Sequence, residues 1–220
     1  MTHSFDEDYW DQRWPGDRTG APMAMAEGPP NPHLVREVDN LEPGTALDTG
    51  CGAGVEAIWL ASRGWQVTGA DIAGQALGRA AERPSAPPRA ASPIGCAGSR
   101  QTCPGGGPGA TYDLVTTHYA HPAMPQLEFY DRVASWVAPG GTLLIVGHLH
   151  HNHDGGHGNR PDGADPPASA SVTAAGVTAR LDLTVWKVVT ARESHRTLAG
   201  AHSGGAATLH DVVLRATRRH

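Results

Sequence analysis

Read for apolar and polar positions, the chain switches repeatedly between two periods. Short apolar runs at "TALDTG" (45–50), "WQVTGAD" (65–71), "YDLVTTHYA" (112–120) and "TLLIVGHLH" (142–150) have the length and β-branched content of strands. Between them, "VEAIWLASRG" (55–64) places Val55, Ile58, Trp59 and Ala61 at helical spacing and stops at Gly64. "AGQALGRAAER" (73–83) predicts a second helix, weakened by Gly74 and Gly78. "PQLEFYDRVASWVAPGG" (125–141) predicts a third helix and its stop. Upstream, "NPHLVREVDNLEPG" (31–44) offers Asn31 as a cap, Pro32 in the first turn and Gly44 past the end, and "FDEDYWDQRW" (5–14) predicts a short amphipathic helix. A helix in "VTAAGVTARLD" (172–182) and strands in "LTVWKVVTAR" (183–192) and "ATLHDVVLRAT" (207–217) close the pattern. Strands alternating with helices, then two strands in succession, predict an α/β fold. The expected form is a Rossmann-like, mostly parallel open sheet flanked by helices, with an antiparallel C-terminal end, in one domain over 1–220.

The most informative stretch is the junction of the first strand and the helix after it, "LDTGCGAGVEAIWL". Strand, glycine-rich turn and helix together form a cofactor cradle. Gly50, Gly52 and Gly54 permit positive φ and leave no Cβ between backbone and ligand, and the N–H groups opening the helix are expected to face that ligand. A dinucleotide site prefers G-x-G-x-x-G, which needs glycine at 55; this chain has Val55, so the turn is G-x-G-x-G with Asp48 two residues ahead. A pyrophosphate fits that spacing poorly. Asp71 ends the second strand about 20 residues on, where a carboxylate accepts both hydroxyls of a ribose. Its bland alternative is a cap on the helix that begins near Ala73.

Composition adds limits. A formal net charge of −5 gives no footprint for broad phosphate-backbone binding, so nucleic acid is not an expected partner. No apolar run reaches the roughly 18 residues of a membrane span. "MTHSFDEDYWDQRW" is acidic and has no apolar core of a secretory signal, and Cys51, Cys96 and Cys103 form neither a CxxC pair nor an even framework. A reduced, cytoplasmic setting is expected.

"LDTGCGAG" with "VTGADIA" resembles the class I S-adenosylmethionine-dependent methyltransferases. "YDLVTTHYAH" resembles their fourth-strand segment and "VAPGGTLLIVGH" their turn and fifth strand. "DYWDQRW" and "LHDVVLRATRR" are similar to a bacterial small-molecule branch near the tellurite- and thiopurine-methyltransferase-like proteins. The resemblance implies S-adenosyl-L-methionine as cofactor and methyl transfer to a small molecule. It implies that Asp48, Gly50, Gly52 and Gly54 line the methionine end of the cofactor, Asp71 holds the ribose and Ile72 packs on the adenine. His118 and Tyr119 then lie beside the transferable methyl, and Tyr9, Trp10 and Trp14 form a lid. An aromatic lid suits a sulfonium cation, while the bland reading of those aromatics is a helix face packed on the core.

The family has a third strand ending in an acidic residue where this chain has residues 84–110, rich in Pro, Gly, Ala, Ser and Arg and without periodicity. The expectation is therefore a sheet whose third strand is missing or disordered. One permitted set of codons for Ser92–Pro104, read from the third base, encodes Ala-Asp-Arg-Val-Arg-Arg-Val-Gln-Ala-Asp-Leu-Pro, which resembles that strand. Two compensating frameshifts, near Arg83 and near Ala110, account for the segment; a genuine flexible insertion is the alternative.

The histidines raise a separate possibility. "GHLHHNHDGGHG" gathers His148, His150, His151, His153 and His157 at the start of a Gly- and Pro-rich loop expected over 151–170. Such density suits Zn or Ni, but no rigid element fixes the spacing, and no metal ligand is assigned. His148 stands apart because it ends an apolar strand, on the edge where such sheets bind ligands. With His118 it is the candidate for catalysis, and His121 is a rival. A sulfonium methyl is already activated, so transfer is an in-line displacement in which the protein aligns the partners and excludes water; a base is needed only if the nucleophile must lose a proton. Two other readings stay open: a degraded, non-catalytic relative, and a metal-binding protein built on the histidine loop.

Overall fold

The computed structural model describes residues 5–12, 14, 28–83, 110–149, 171–198 and 207–220. Twelve elements follow in the order α1 (Glu7–Asp11), α2 (Pro32–Val38), β1 (Thr45–Thr49), α3 (Val55–Ser62), β2 (Gln66–Ala70), α4 (Gly74–Glu82), β3 (Tyr112–His118), α5 (Gln126–Ser135), β4 (Val137–His148), α6 (Ala174–Thr178), β5 (Trp186–Leu198) and β6 (Ala207–Arg218). The six strands form one sheet in the order β2-β1-β3-β4-β6-β5. β1 pairs in parallel with β2 and β3, and β3 with β4; β6 runs antiparallel to β4 and β5 antiparallel to β6. This is the expected Rossmann-like α/β sheet with an antiparallel end. Among the described residues β2 is an edge strand. Residues 84–109, where the frameshift reading falls, and 150–170, which hold most of the histidine loop, lie outside the described residues.

The sheet is apolar on both faces, and side-chain alternation assigns each face a partner. Leu47, Val115, Leu143, Ile145 and Leu214 point to one side, where Tyr130 and Val133 of α5 and Val177 of α6 cover them. Ala46, Leu114, Leu144, Val146 and Val213 point to the other, against Leu34 and Val38 of α2 and Leu60 of α3. Residues Gly141 to Gly147 of β4 are buried without a break, which explains why that strand reads as a continuous apolar run. Each large aliphatic side chain removed from water here contributes roughly 1.5–3 kcal/mol.

Local signals set the helix starts. The Asn31 side chain accepts from His33 N at 2.9 Å and Pro32 occupies the first turn of α2. Gly54, at φ 79°, opens α3. Two expected boundaries shift. The helix expected over 125–141 ends at Ser135, and β4 already begins at Val137. The reason is an irregularity in the β3–β4 register between Tyr112 and Leu114, which lets the "APGG" turn, with Gly140 at φ 81°, sit inside the strand. The closing hairpin is also longer than its apolar pattern: β5 and β6 pair from Trp186↔Arg218 to Leu198↔Ala207.

Candidate functional site

The site is built where the parallel strands end. β1 delivers Asp48 and Thr49 opposite Gly69 and Ala70 of β2 and Thr116 and Thr117 of β3. The chain then turns through Gly50, Gly52 and Gly54, which all have positive φ, at 74°, 52° and 79°. Space demands glycine as firmly as the backbone does. A Cβ on Gly50 would stand 2.5 Å from Cβ of Ala120, and one on Gly54 would stand 3.2 Å from Cβ of Ala80.

Asp71 closes on this turn. Its Oδ2 accepts from Gly52 N at 2.8 Å and its Oδ1 from Ala73 N at 2.9 Å. One carboxylate therefore ties the glycine turn to the start of α4, and the two expected halves of the cradle are in contact. The capping alternative also holds in part, because the Ala73 bond is a local one. Burial pushes the Asp71 carboxyl above the usual carboxylate range, while the N–H groups of Ala73 and Gly52 oppose that rise.

Within the turn itself, the backbone donors bond to the protein. Gly50 N and Cys51 N donate to Ala70 O at 2.7 and 3.1 Å, Gly52 N to Asp71, and Gly54 N to Cys51 O at 2.8 Å. These N–H groups hold the turn together, because a turn with three positive-φ residues has to satisfy its own backbone. What the glycines offer a ligand is a concave backbone without side chains.

Beneath the turn lies a buried polar group. Asp48 is 1% exposed. Its Oδ1 accepts from Thr116 Oγ1 at 3.3 Å and lies 3.5 Å from His118 Nδ1, and its Oδ2 has no hydrogen-bond partner among the described residues. His118 is buried too; burial opposes its protonation, but Asp48, with help from Glu56, raises it above its ordinary range. Cys51 is a buried free thiol, pushed up by burial and by the nearby Asp48 and Asp71 carboxylates, so it is held protonated and unreactive.

Above β3 and β4, four rings stack in a column. Tyr119 stacks on His148 with centroids 4.3 Å apart, His148 on His121 at 5.4 Å, and His121 on Trp10 at 6.1 Å. Trp10 Nε1 donates to His121 O at 3.1 Å, which fastens α1 to the loop after β3. His121 is pushed down to about 4 by burial, so it is neutral at pH 7 and a weak base. The Tyr119 hydroxyl donates to Asp211 Oδ1 at 2.7 Å and accepts from Arg196 Nη2 at 2.9 Å. Burial and the Asp211 charge push that phenol up, so it stays protonated. Trp14 belongs to the core instead, 7% exposed and packed with Ala53, Ala73 and Ala76. Ile72 is half-buried next to Asp71.

Asp48, the glycines, Asp71, Ile72, His118, Tyr119, His148 and Trp10 thus gather at one end of the sheet. Asp211, Arg196 and His33 were not anticipated. They carry no motif, and only the pairing of β6 with β4 brings Asp211 opposite His148. Among the described residues no group of three or more His, Cys, Asp or Glu is placed to hold a metal ion. No helix there is long and apolar enough to cross a membrane.

The donor set fits a nucleoside–amino-acid cofactor. The turn is a cradle that a Cβ would fill, one acid sits at the end of β2, and a buried carboxylate under the turn keeps an oxygen without a partner.

Residues 5–101 match the family model of thiopurine S-methyltransferase (TPMT). A 36-residue stretch is 53% identical to ribosomal RNA small subunit methyltransferase C of Alcanivorax borkumensis, covering 16% of this chain and 11% of that protein. The chain therefore spans about a tenth of that relative's length. Three solved structures are similar over nearly the whole chain. One comes from work on the conversion of a disulfide bond into a thioacetal group during echinomycin biosynthesis, with TM-score 0.65, 19% identity and coverage of 98% of this chain and 90% of that one. TehB from Haemophilus influenzae gives TM-score 0.59 and 14% identity over 97% and 67% of the two chains. Magnesium protoporphyrin IX methyltransferase (ChlM) from Synechocystis PCC 6803, solved with bound SAM, gives 0.57 and 18% over 96% and 94%. Residues 5–101 are thus similar to the thiopurine S-methyltransferase family, and the chain shares its fold with these solved structures.

Proposed function

We propose that this chain transfers a methyl group from S-adenosyl-L-methionine to a small-molecule acceptor. The observation that carries the reading is the bond from Gly52 N to Asp71, which joins the glycine turn and the acid at the end of β2 in one cradle. The cofactor, when bound, supplies a methyl group already activated on a sulfonium. The chain's part is to hold, orient and keep water away. Gly50, Gly52 and Gly54 admit the cofactor against bare backbone, and Asp48 beneath them takes the amino-acid end. Asp71 keeps lone pairs beyond its two backbone bonds and accepts the ribose hydroxyls. Ile72 packs on the adenine.

On the acceptor side the ring column is the wall. Aromatic rings suit a cationic sulfonium, and Trp10 ends the column while Tyr119 is taken up by His148 and Arg196. His148, half-buried at the carboxyl end of β4, is the better-placed base, for an acceptor that must lose a proton. His118 is tied to Asp48 and Thr116, so its role is at the cofactor end. A net charge of −5 argues against a nucleic-acid acceptor. We further infer that residues 84–110 are a frame-shifted third strand, which resequencing of the coding DNA tests; a read that supports the present frame rejects a sequencing error. The function is tested by calorimetric titration with S-adenosylhomocysteine, followed by isotope transfer from methyl-labelled S-adenosylmethionine into a metabolite pool. Binding with transfer supports the reading, binding without transfer points to a non-catalytic relative, and no binding overturns it.

A further inference from the structure

Tyr119 has φ 55°, in the left-handed region that an aromatic residue rarely adopts. Such a conformation persists only where its surroundings hold it, and these positions concentrate at functional sites. Three hydrogen bonds hold this one: Tyr119 N to Val146 O at 2.9 Å, the hydroxyl to Asp211, and Arg196 to the hydroxyl. Asp211 is the hub. It is fully buried at 0% exposure, and it receives Tyr119 OH, Arg196 Nε at 2.7 Å and His33 Nε2 at 2.9 Å. These partners come from the loop after β3, from β5 and from α2, so one carboxylate fixes three elements. Asp211 also stands opposite His148 in the β4–β6 ladder, and directly opposed residues project to one face. The hydroxyl it holds belongs to the ring that stacks on His148. A buried carboxylate costs desolvation that an apolar residue would avoid; its pairing with Arg196 and His33 offsets that cost, and its bond to Tyr119 gives it a positional role.

We propose that Asp211 is a positioning residue: by anchoring the Tyr119 hydroxyl it sets the column Tyr119–His148–His121–Trp10 over the glycine turn. The column's service as the acceptor wall rests on the methyltransferase reading; the positioning itself does not. Among the bonds of Asp211, the one to Tyr119 is the one that reaches the column.

The test compares Asp211→Asn, Tyr119→Phe and His33→Gln in the full chain, reading the ring-proton resonances of His148 and His121 and the Trp10 indole N–H by NMR. His33→Gln is the control, since it alters a different partner of Asp211 and leaves the Tyr119 bond in place. Asp211→Asn and Tyr119→Phe are expected to move the His148 and His121 resonances together. His33→Gln is expected to leave them at their wild-type positions. Resonances that stay put in Asp211→Asn and Tyr119→Phe, or that move equally in His33→Gln, overturn the proposal. S-adenosylhomocysteine affinity serves as the second readout, expected within about two-fold of wild type for Asp211→Asn and His33→Gln. A tenfold loss there places Asp211 in general stability and also overturns the proposal. Failure of the wild-type chain to bind S-adenosylhomocysteine overturns the cofactor reading instead, and the resonance comparison still decides the positioning.

Discussion

Replacing Asp71 by Asn tests the cradle at its joint. The carboxylate accepts two backbone N–H bonds, from Gly52 at 2.8 Å and from Ala73 at 2.9 Å, one on each oxygen. Charge-assisted bonds of this kind contribute roughly 1.5–3 kcal/mol each. Asn keeps one carbonyl oxygen and sets an NH2 in place of the other, so one backbone donor faces a donor. A single neutral bond worth about 1 kcal/mol remains. With allowance for the partial exposure of Asp71, the net loss is roughly 2–3 kcal/mol. In a chain of this length that lowers the melting midpoint by roughly 5–10 °C. Binding suffers separately, because the ribose loses an ionised acceptor and the turn loses its brace. S-adenosylhomocysteine affinity is expected to fall roughly ten- to hundred-fold, which is about 1.4–2.8 kcal/mol. Calorimetric titration measures the affinity and scanning calorimetry the midpoint. An Asn variant that binds S-adenosylhomocysteine as tightly as wild type refutes the assignment of Asp71 to the cofactor. An unchanged midpoint refutes the claim that its two backbone bonds brace the turn.

Gly50→Ala should destabilise the fold by roughly 2–4 kcal/mol, from positive φ and overpacking together, because its Cβ would meet that of Ala120 at 2.5 Å. Adding Ala120→Gly removes the clash but not the φ cost, so denaturation of the double variant should recover only part of the loss; full recovery would show that the backbone angle carries no cost. Since Asp71 is raised, S-adenosylhomocysteine affinity should start to weaken with falling pH above the ordinary carboxylate range, as the Asp71 carboxylate is protonated; titrations at stepped acid pH check this. His118 is raised by Asp48, so its share of stability is fully present below its unfolded value near 6.5 and is lost as pH rises through the higher folded value. His118→Gln should flatten the melting profile in that window, and an unchanged profile would contradict the pairing. Half-buried His121 should titrate by NMR at about 4 and stay neutral at pH 6.

The apolar pattern settled the parallel half of the sheet by itself. A strand with two buried faces must be apolar throughout, as β4 is, and helices that cover a sheet must carry one apolar stripe. The glycine turn was legible because positive φ at Gly50, Gly52 and Gly54 leaves little choice of residue, and Asp71 was legible because a second strand of fixed length brings its end to the first. Boundaries were less legible: Ser135 and Val137 change periods within two residues, and only the irregular β3–β4 register shows that the intervening turn belongs to the strand. The bonds inside the turn were not legible, because spacing says where an N–H is, not which carbonyl lies within reach. The polar hub was beyond the sequence altogether. Asp211 lies 178 residues from His33 and 92 from Tyr119. Local propensity and periodicity act over a few residues, whereas contacts at such separations exist only once an antiparallel strand has been laid beside β4. The sequence determined the glycine turn and the acid that meets it; the tertiary structure alone decided which rings stack on His148 and which buried carboxylate bonds Tyr119, because those contacts join residues far apart in the chain.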